Sequence, residues 1–372
     1  MKIFNSIDGV ERKIIILHDT FLYKGGGERL ILMMSKALDA DIASGFFSRG
    51  SFNLRDEGFK GKMIEISSET FKKGYRHLKL KQAFLFNTKF LADYDTVIFS
   101  GDCISAVKNA RVDAKKIYYC HTPPRYLYDL REEYLTKLKP YLKPIFNLIS
   151  WVFRKMYESD VKKFDLILTN SKNTQSRLEH FIGKKSEVLY PPVKLDEFKW
   201  IEQGDYYISV SRLSSAKRID NIVKAFSQMS DKKLIVIYGV NDPQKDEIFE
   251  LGKDSENIEF VTCPGNEGFT DYIGKSIAGI CIPINEDFGM VPVESMAAGK
   301  PVIGVDEGGI KESVINGETG VLIPEGGAIE DIIEATKYLT PEVALSMKEK
   351  SEERAKYFSY KEFEEKIREF VK

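Results

Sequence analysis

The chain has 372 residues, which is too long for one compact core of ordinary size, so two domains of roughly 200 residues or fewer are expected. Its 55 basic and 56 acidic residues nearly cancel, which excludes a global field that would recruit nucleic acid or an anionic membrane to the whole molecule. The N-terminus lacks an uninterrupted apolar segment, and no run reaches the roughly 20 apolar residues of a spanning helix, so the sequence predicts a protein that is neither secreted nor transmembrane.

Cysteine usage indicates a reducing compartment. The four cysteines form no CxxC pair and lie mostly in apolar runs, so they are predicted to be reduced core residues of a cytosolic protein. They are Cys103, Cys120, Cys263 and Cys281.

Short runs of β-branched and aromatic residues alternate with longer amphipathic segments, which is typical of βαβ units on doubly wound parallel sheets. In the first half the predicted strands are residues 13–17, 96–100, 116–120 and 166–170. After Pro191 and Pro192 the pattern begins again, with predicted strands at 206–211, 234–238, 258–262, 279–283 and 301–305. The chain is therefore expected to hold two α/β sheets, with a boundary near residue 195.

The first candidate site is the glycine run Gly25, Gly26 and Gly27, which follows a predicted strand and opens a helix near Glu28. Glycine permits close backbone approach, and a helix N-terminus presents N–H groups to a phosphate. Glycines at strand-to-helix turns are more often explained by ordinary turn chemistry. The run matches neither GxGxxG nor GxxxxGK[ST], which disfavours dinucleotide and P-loop interpretations.

The second candidate is the basic turn after the first strand of the second half. Arg212 can bind a diphosphate through its forked guanidinium, and Lys217 can add a point charge at the helix start. A solvated basic turn is the alternative. The position at the carboxyl end of a strand in an open α/β sheet favours a ligand.

The third candidate is a carboxylate pair, Glu286 in an acidic loop and Glu294 in the short helix that follows. A carboxylate accepts hydrogen bonds from two vicinal hydroxyls, which suits sugar and ribose diols. The alternative is that Glu286 caps the helix and Glu294 is solvated. The residues between them that would contact the donor, through backbone N–H groups at the helix start, are Asp287, Phe288, Gly289, Met290 and Val291.

The segment 285–323 closely resembles the donor-binding signature of retaining glycosyltransferases of family four, which have the GT-B fold. The run Gly25 to Gly27 with Glu28 and Arg29 resembles that family's GGxER loop, and Arg212 with Lys217 resembles its phosphate clamp. The resemblance implies two Rossmann-like doubly wound parallel-sheet domains facing across a cleft. It also implies that Glu286 contacts the donor sugar and Glu294 the nucleotide ribose.

His121 follows a predicted strand of the first half. A lone histidine there is usually structural, but family members commonly place one beside the donor sugar. The string from His121 to Asp129 most resembles mannosyltransferases of polysaccharide or lipid-linked oligosaccharide assembly, which implies GDP-mannose as donor. Residues 262–268 and 276–279 depart from the family pattern near base recognition, so a UDP-sugar donor is the alternative.

The resemblance implies an acceptor-side domain at 1–195, a donor-binding domain at 196–357 and a C-terminal helix, about 358–372, that packs back on the first. It also implies retention without a protein nucleophile. The departing diphosphate, stabilised by Arg212 and Lys217, deprotonates the acceptor, with His121 and Glu286 as the other catalytic candidates.

No cofactor or metal is expected. The pairs Asp39 with Asp41 and Asp93 with Asp95 match a DxD metal string but are predicted to be solvated turn residues beside strand starts. Three other functions remain open: a GT-B sugar-nucleotide epimerase, a non-catalytic nucleotide-sugar sensor, and a phosphorylase-like enzyme, which would need a pyridoxal phosphate lysine. An acceptor requirement separates transfer from epimerisation.

Two segments bear on a membrane partner. Residues 72–89 interleave lysines with aromatics, and residues 142–155 are apolar with basic ends. Together they are candidates for a peripheral contact with the cytoplasmic membrane face. The sequence favours the alternative, a solvated face and a core helix respectively, and a lipid-linked acceptor would reverse that preference. A cytoplasmic protein with no nucleic-acid partner is expected.

Overall fold

The computed structural model describes residues 6–7, 10–69, 73–240, 242–263 and 265–372. The chain divides into two compact units. Unit 1 runs up to Tyr190 and includes Phe363–Lys372, and unit 2 is Pro191–Glu362. The prolines Pro191 and Pro192, where the sequence pattern restarts, begin unit 2.

Unit 1 contains a parallel sheet of seven strands in the order β5-β4-β3-β6-β7-β8-β9, and β1 pairs with β2 as a separate antiparallel ribbon. The strands are β1 (Ser6–Ile7), β2 (Val10–Glu11), β3 (Ile14–His18), β4 (Asp41–Ser44), β5 (Met63–Glu65), β6 (Thr96–Ser100), β7 (Lys115–Cys120), β8 (Leu166–Thr169) and β9 (Glu187–Val188). The α-helices are α1 (Gly26–Leu38), α2 (Lys73–Phe86), α3 (Arg131–Thr136), α4 (Lys143–Val161) and α5 (Lys172–Ile182).

Unit 2 contains a parallel sheet of six strands in the order β12-β11-β10-β13-β14-β15. The strands are β10 (Tyr206–Val210), β11 (Lys233–Tyr238), β12 (Ile258–Thr262), β13 (Gly279–Cys281), β14 (Val302–Val305) and β15 (Gly320–Ile323). The α-helices are α6 (Ile219–Phe226), α7 (Lys245–Gly252), α8 (Gly265–Gly274), α9 (Met290–Ala297), α10 (Ile310–Ser313), α11 (Ile329–Tyr338), α12 (Pro341–Ser346), α13 (Lys348–Lys356) and α14 (Tyr360–Val371), the last of which ends in unit 1.

The central strands form because their apolar runs are buried on both faces. Every residue of β3, β6 and β14 is buried, as expected for parallel strands covered by helices. The sequence did not predict β4, β5, β9 or β15. Three of these, β5, β9 and β15, lie at sheet edges, are short and keep partly exposed residues, so they lack the continuous apolar run that indicates a buried strand.

The strand order reverses between β3 and β6 in unit 1 and between β10 and β13 in unit 2. At such a switch point the neighbouring connections leave toward opposite faces of the sheet, which opens a crevice at the carboxyl ends of the strands. The candidate residues His121, Arg212 and Glu286 follow strands beside these points. Each unit therefore positions its candidate residues where an open α/β sheet binds ligands.

The C-terminal helix α14 buries the stripe Phe363, Ile367 and Val371, whose spacing places them on one helix face. The guanidinium of Arg368 donates to the carbonyl oxygen of Ala37 over 2.9 Å, within unit 1. These contacts explain why the last ten residues of the chain group with the first unit.

Three sequence predictions are wrong. Residues 142–155 do not form a core helix, because α4 touches the core on one side only and its Leu148 is 64% exposed. Cys263 is not a core residue, because it directly follows the edge strand β12 and is exposed. Asp41 and Asp95 are not merely solvated, because Asp41 accepts from the Tyr94 hydroxyl over 2.8 Å and Asp95 accepts from the N–H of Lys13 over 2.9 Å.

Candidate active site

A cavity of about 220 Å³ lies within unit 2, at the carboxyl ends of β10 and β13. Its walls come from the loop after β10, the loop after β13 and the first turn of α9. Six residues predicted from the sequence line it: Arg212, Lys217, Glu286, Gly289, Met290 and Val291. The structure therefore brings the second sequence candidate together with Glu286 of the third.

An ion pair joins the two loops across this cavity. The Nζ atom of Lys217 lies 2.6 Å from the Oε2 atom of Glu286, and both side chains are partly exposed. Beside them, burial raises the pKa of the Cys281 thiol to about 12, with Lys217 lowering it and the carboxylates of Glu286 and Glu294 raising it further. The thiol is thus protonated and poorly suited to act as a nucleophile.

The Glu286 loop depends on close backbone packing against two glycines. A Cβ atom on Gly308 would lie 2.6 Å from the amide nitrogen of Glu286, and one on Gly309 would lie 2.4 Å from the carbonyl oxygen of Asp287. The N–H of Gly309 also donates to the carbonyl of Glu286 over 2.8 Å. Because only glycine fits at both positions, the segment after β14 fixes the path of the loop that carries Glu286.

A partly buried ion pair that the sequence did not single out supports the same loop. Arg218 contacts both carboxylate oxygens of Glu307, each over 3.2 Å, and Glu307 also accepts from the N–H of Asn285 over 2.6 Å. Burial acts to raise the pKa of Glu307, but the hydrogen bonds from Arg218 and Asn285 outweigh it and hold that pKa below its usual range. Glu307 thereby joins Arg218, in the loop before α6, to Asn285, the residue before Glu286.

The first turn of α9 offers donors to the cavity. Gly289 is the N-cap residue, with a φ of 82° and no side-chain capping hydrogen bond. The N–H groups of a helix's first turn have no intrahelical acceptor, and Met290 and Val291 at this turn line the cavity. Such a helix start suits an anionic group.

Three donor contacts predicted within unit 2 lie outside the cavity lining: Asp287, Phe288 and Glu294. The Phe288 side chain is buried and packs against Phe358, with ring centroids 5.4 Å apart, so its role would have to be a backbone one. Glu294 is 4% exposed within α9. Its role as a ribose contact remains a prediction.

Arg212 extends from the turn that begins where β10 ends. The N–H of Leu213 donates to Asp242 over 2.8 Å, and Asp242 also accepts from the N–H of Gly239 over 2.8 Å, so the turn is anchored to the loop after β11. The Arg212 side chain is exposed at the cavity and has no ion pair within the part of the chain that the structure describes. Its guanidinium is available to an anion.

The predicted residue His121 belongs to a second cluster, in unit 1, at the ends of β3, β6 and β7. The Oγ of Ser100 lies 3.1 Å from Nδ1 of His18 and 2.8 Å from Nε2 of His121. Burial, followed by the nearby His18, lowers the pKa of His121 to about 4, so its imidazole is neutral at pH 7. Ser100 and His18 belong to this cluster but carry no sequence signal of their own.

The glycine run opens α1 as predicted, with Gly25 as N-cap. A Cβ on Gly27 would lie 3.9 Å from the His121 ring, which brings the run beside the histidine. A Cβ on Gly25 would lie 2.6 Å from a carboxylate oxygen of Glu28. The Glu28 carboxylate therefore lies directly beside the glycine run. A phosphate at this position would have to displace Glu28, which weakens the predicted phosphate role of Gly25 to Gly27.

A bound metal ion needs several ligating side chains close together. Within residues 6–7, 10–69, 73–240, 242–263 and 265–372, no three His, Cys, Asp or Glu side chains are grouped to hold a metal ion. Lys217 and Arg212 are the cations that the cavity offers to a phosphate.

Two doubly wound parallel sheets with these switch-point sites have the GT-B fold, as predicted. Residues 194–360, which lie within unit 2, match the family model described as glycosyl transferases group 1. The solved structure of a glycosyltransferase from Rickettsia africae is similar over 97% of this chain and 98% of that one, with a TM-score of 0.73 and 17% identity. Anabaena Alr3699/HepE in complex with UDP is similar over 96% and 99%, with a TM-score of 0.75 and 16% identity.

Among curated proteins, the chain is similar to alpha-1,3/1,6-mannosyltransferase ALG2 of Rhizomucor pusillus, at 25% identity over 263 residues. The similarity covers 57% of this chain and 55% of that relative, so the chain spans little more than half the length of the relative.

Proposed function

We propose that this chain is a retaining glycosyltransferase that moves mannose from GDP-mannose onto a glycan or lipid-linked oligosaccharide acceptor. The observation that carries the proposal is the Lys217–Glu286 pair, 2.6 Å apart, beside the available guanidinium of Arg212 in a cavity of the group 1 domain. Two cations and a helix start suit a diphosphate, and a carboxylate at the same cavity suits sugar hydroxyls.

In the proposed reaction, Arg212 and Lys217 stabilise the charge that develops on the departing diphosphate. The bond between the anomeric carbon and the diphosphate breaks, and a diphosphate oxygen takes the proton of the acceptor hydroxyl. The acceptor oxygen bonds to the anomeric carbon on the face that the diphosphate leaves. The anomeric configuration is therefore retained. In unit 2, Glu286 holds sugar hydroxyls and Glu294 holds the ribose. In unit 1, His121 is the proposed catalytic-site residue. No protein nucleophile is required, which agrees with the protonated state of Cys281.

Mannose is supported by the similarity to ALG2 of Rhizomucor pusillus, an alpha-1,3/1,6-mannosyltransferase. A UDP-sugar donor is the second candidate, because the similar HepE structure holds UDP. Unfolding midpoints measured with GDP-mannose, UDP-glucose and ADP-glucose separate the two. The largest rise with GDP-mannose supports the proposal, and a clear preference for the UDP-sugar contradicts the mannose assignment.

The activity itself is tested with radiolabelled GDP-mannose, with and without a dolichyl- or polyprenyl-diphosphate oligosaccharide. Label that reaches the lipid phase only when acceptor is present supports transfer. Conversion of the nucleotide sugar without acceptor indicates an epimerase instead. Tight donor binding with neither reaction indicates a sensor. An Arg212→Ala variant serves as the negative control for transfer.

We propose in addition that the protein is cytoplasmic and touches the membrane peripherally through α4. The apolar side chains Ile145, Leu148, Ile149 and Val152 recur at helical spacing and are all exposed, and Trp151 beside them is 61% exposed. Contiguous exposed apolar surface of this kind marks an interaction site. None of the described helices is both long and apolar enough to span a membrane.

Charge favours an anionic lipid surface as the partner. Residues 137–157 include five lysines and arginines and no aspartate or glutamate. Lys137, Arg154 and Lys155 pair with glutamates outside this stretch, but such exposed pairs are weak. A basic helix with Trp and Leu on its apolar face is typical of interfacial binding.

The other predicted membrane segment contributes less. Lys72 lies outside the described residues, and α2 turns Leu80 and Phe84 into the core. Leu78 and Phe86 on its other side are exposed. We therefore assign the main contact to α4.

Sedimentation with vesicles of phosphatidylglycerol and phosphatidylcholine tests the membrane contact. Leu148→Ser with Trp151→Ser should abolish sedimentation without lowering the unfolding midpoint, because both side chains are exposed. Val112→Ser, at a residue 93% exposed elsewhere in unit 1, is the matched control and should sediment like the wild type. Equal binding of the wild type and the α4 variant would contradict the contact.

A further inference from the structure

A single hydroxyl links two histidines in unit 1. Ser100 is fully buried, and its Oγ is within hydrogen-bond distance of Nδ1 of His18 and Nε2 of His121. A hydroxyl carries one hydrogen, so it donates to one ring and accepts from the other. The tautomers of His18 and His121 are therefore coupled through Ser100.

Asp19 selects between the two coupled arrangements. Its Oδ1 lies 3.2 Å from Nε2 of His18, and a carboxylate at that distance favours a proton on that nitrogen. A neutral His18 then has a bare Nδ1, which accepts the hydroxyl proton of Ser100. The Ser100 oxygen in turn accepts from the Nε2–H of His121, which leaves the Nδ1 of His121 without a proton.

The position of Asp19 is built into the backbone around it. Its Oδ1 accepts from the N–H of Thr20 over 2.8 Å. A Cβ on Gly101 would lie 2.8 Å from its carboxyl carbon, and Gly101 has a φ of 83°. Only glycine meets both conditions. Gly101 therefore leaves room for the Asp19 carboxylate, which orients the His18 ring.

The unprotonated Nδ1 of His121 can accept a hydrogen bond. The backbone carbonyl of His121 accepts from Thr174 over 3.2 Å, and the histidine side chain remains partly exposed. The Nδ1 of His121 makes no hydrogen bond to any residue in the described ranges. A donor group of a ligand, such as a hydroxyl, is the natural partner for this acceptor.

We infer that Asp19, His18 and Ser100 are positioning residues that hold His121 in the Nε2–H tautomer and present its Nδ1 to a hydroxyl of the bound ligand. The naming of that hydroxyl as one of the donor sugar rests on the proposed function. The coupling of the tautomers does not, because it follows from the hydrogen bonds within unit 1.

Imidazole nitrogen NMR on the full chain at pH 7.5 tests the tautomer directly. The chain has four histidines, so His18→Gln and His121→Gln variants assign the two signals. We expect one protonated Nε2 and one bare Nδ1 for wild-type His121. In Ser100→Ala the signals should move toward the average of both tautomers. Asp19→Asn should produce the same movement and provides a second variant if Ser100→Ala does not fold.

Ser105→Ala is the matched control. Ser105 is also buried in unit 1, and its hydroxyl makes no hydrogen bond to any described residue, so removing it should leave the His121 signals unchanged. His121 signals in Ser100→Ala and Asp19→Asn that equal those of the wild type would overturn the inference.

The ligand half of the inference is tested by donor kinetics. Loss of one oriented hydrogen bond should lower kcat/KM of Ser100→Ala by about fivefold, with Ser105→Ala unchanged. A shifted tautomer with unaltered kcat/KM would overturn the role toward the ligand. If the wild type uses no nucleotide sugar, the proposed function fails, and the NMR comparison still decides whether the three residues set the tautomer.

Discussion

The ammonium of Lys217 lies 2.6 Å from a carboxylate oxygen of Glu286, although the two residues are 69 positions apart in the chain. Each belongs to a loop at the carboxyl end of a strand, and both face the same cavity. A diphosphate at Lys217 would compete with Glu286 for the ammonium. Donor binding would then release the carboxylate to accept hydrogen bonds from hydroxyls.

Replacing Arg212 or Lys217 by alanine should reduce kcat by about 10²- to 10³-fold, because each withdraws charge stabilisation from the leaving diphosphate. Initial rates at saturating donor and acceptor measure this. Lys224→Ala is the control, since Lys224 pairs with Asp220 on the surface of α6 and should leave kcat unchanged. Full turnover of Arg212→Ala with only weaker donor binding would contradict the assigned role.

Glu307→Gln should lower the free energy of unfolding of unit 2 by about 1–3 kcal/mol, because it removes the counter-charge of the partly buried guanidinium of Arg218. Urea titration followed by tryptophan fluorescence measures the change. Disrupting the exposed pair of Lys224 and Asp220 with Asp220→Asn should change it by less than about 1 kcal/mol. Equal effects of the two substitutions would show that the Arg218–Glu307 pair does not hold the loop.

The Arg218–Glu307 pair makes the free energy of unfolding of unit 2 depend on pH. Hydrogen bonds hold the pKa of folded Glu307 below its usual range, so its contribution is present above the unfolded pKa of about 4.3. That contribution is lost as the pH falls through the lower folded pKa. The wild type should therefore lose more stability than Glu307→Gln between pH 5 and acid conditions.

Gly308→Ala should disrupt the site more than Gly317→Ala, although both glycines have positive φ, 59° and 76° respectively. A Cβ at Gly308 would collide with the backbone of Glu286, whereas one at Gly317 meets nothing within 4 Å. Backbone strain alone costs about 1 kcal/mol, so Gly317→Ala measures that part. Unfolding midpoints and donor affinity should both fall further in Gly308→Ala, and equal losses would refute the close approach.

Lys300→Met should remove a rise in stability between about pH 8 and pH 10. Burial, then repulsion from Lys348, lowers the pKa of Lys300 to about 8, while its ammonium donates to the carbonyl of Glu202 over 2.7 Å. The unfolded lysine has a pKa of about 10.4, so the unfolded state binds the extra proton in this window and wild-type stability rises with pH. Denaturant titrations at pH 7.5 and 10 should show this rise in the wild type only. A variant with the same rise would contradict the assignment.

The sequence predicted the central strands of both sheets and the residues at their carboxyl ends. These features are local: a buried parallel strand needs a continuous apolar run, and the turn after it shows its glycines and charges directly. Gly289, the N-cap residue of α9, and the basic turn at Arg212 can be recognised in the sequence for the same reason. Edge strands such as β5 and β9 are not, because they are short and partly exposed.

The sequence by itself thus determined the two doubly wound sheets and which loops carry Arg212, Lys217 and Glu286. Only the tertiary structure decided that Lys217 pairs with Glu286, that Glu307 anchors the loop through Arg218, and that Ser100 joins two histidines. It also decided that α4 turns its apolar side chains outward. The physical reason is that pairing and exposure depend on which distant segments meet in space, whereas local periodicity shows that a helix has an apolar face but not what covers it.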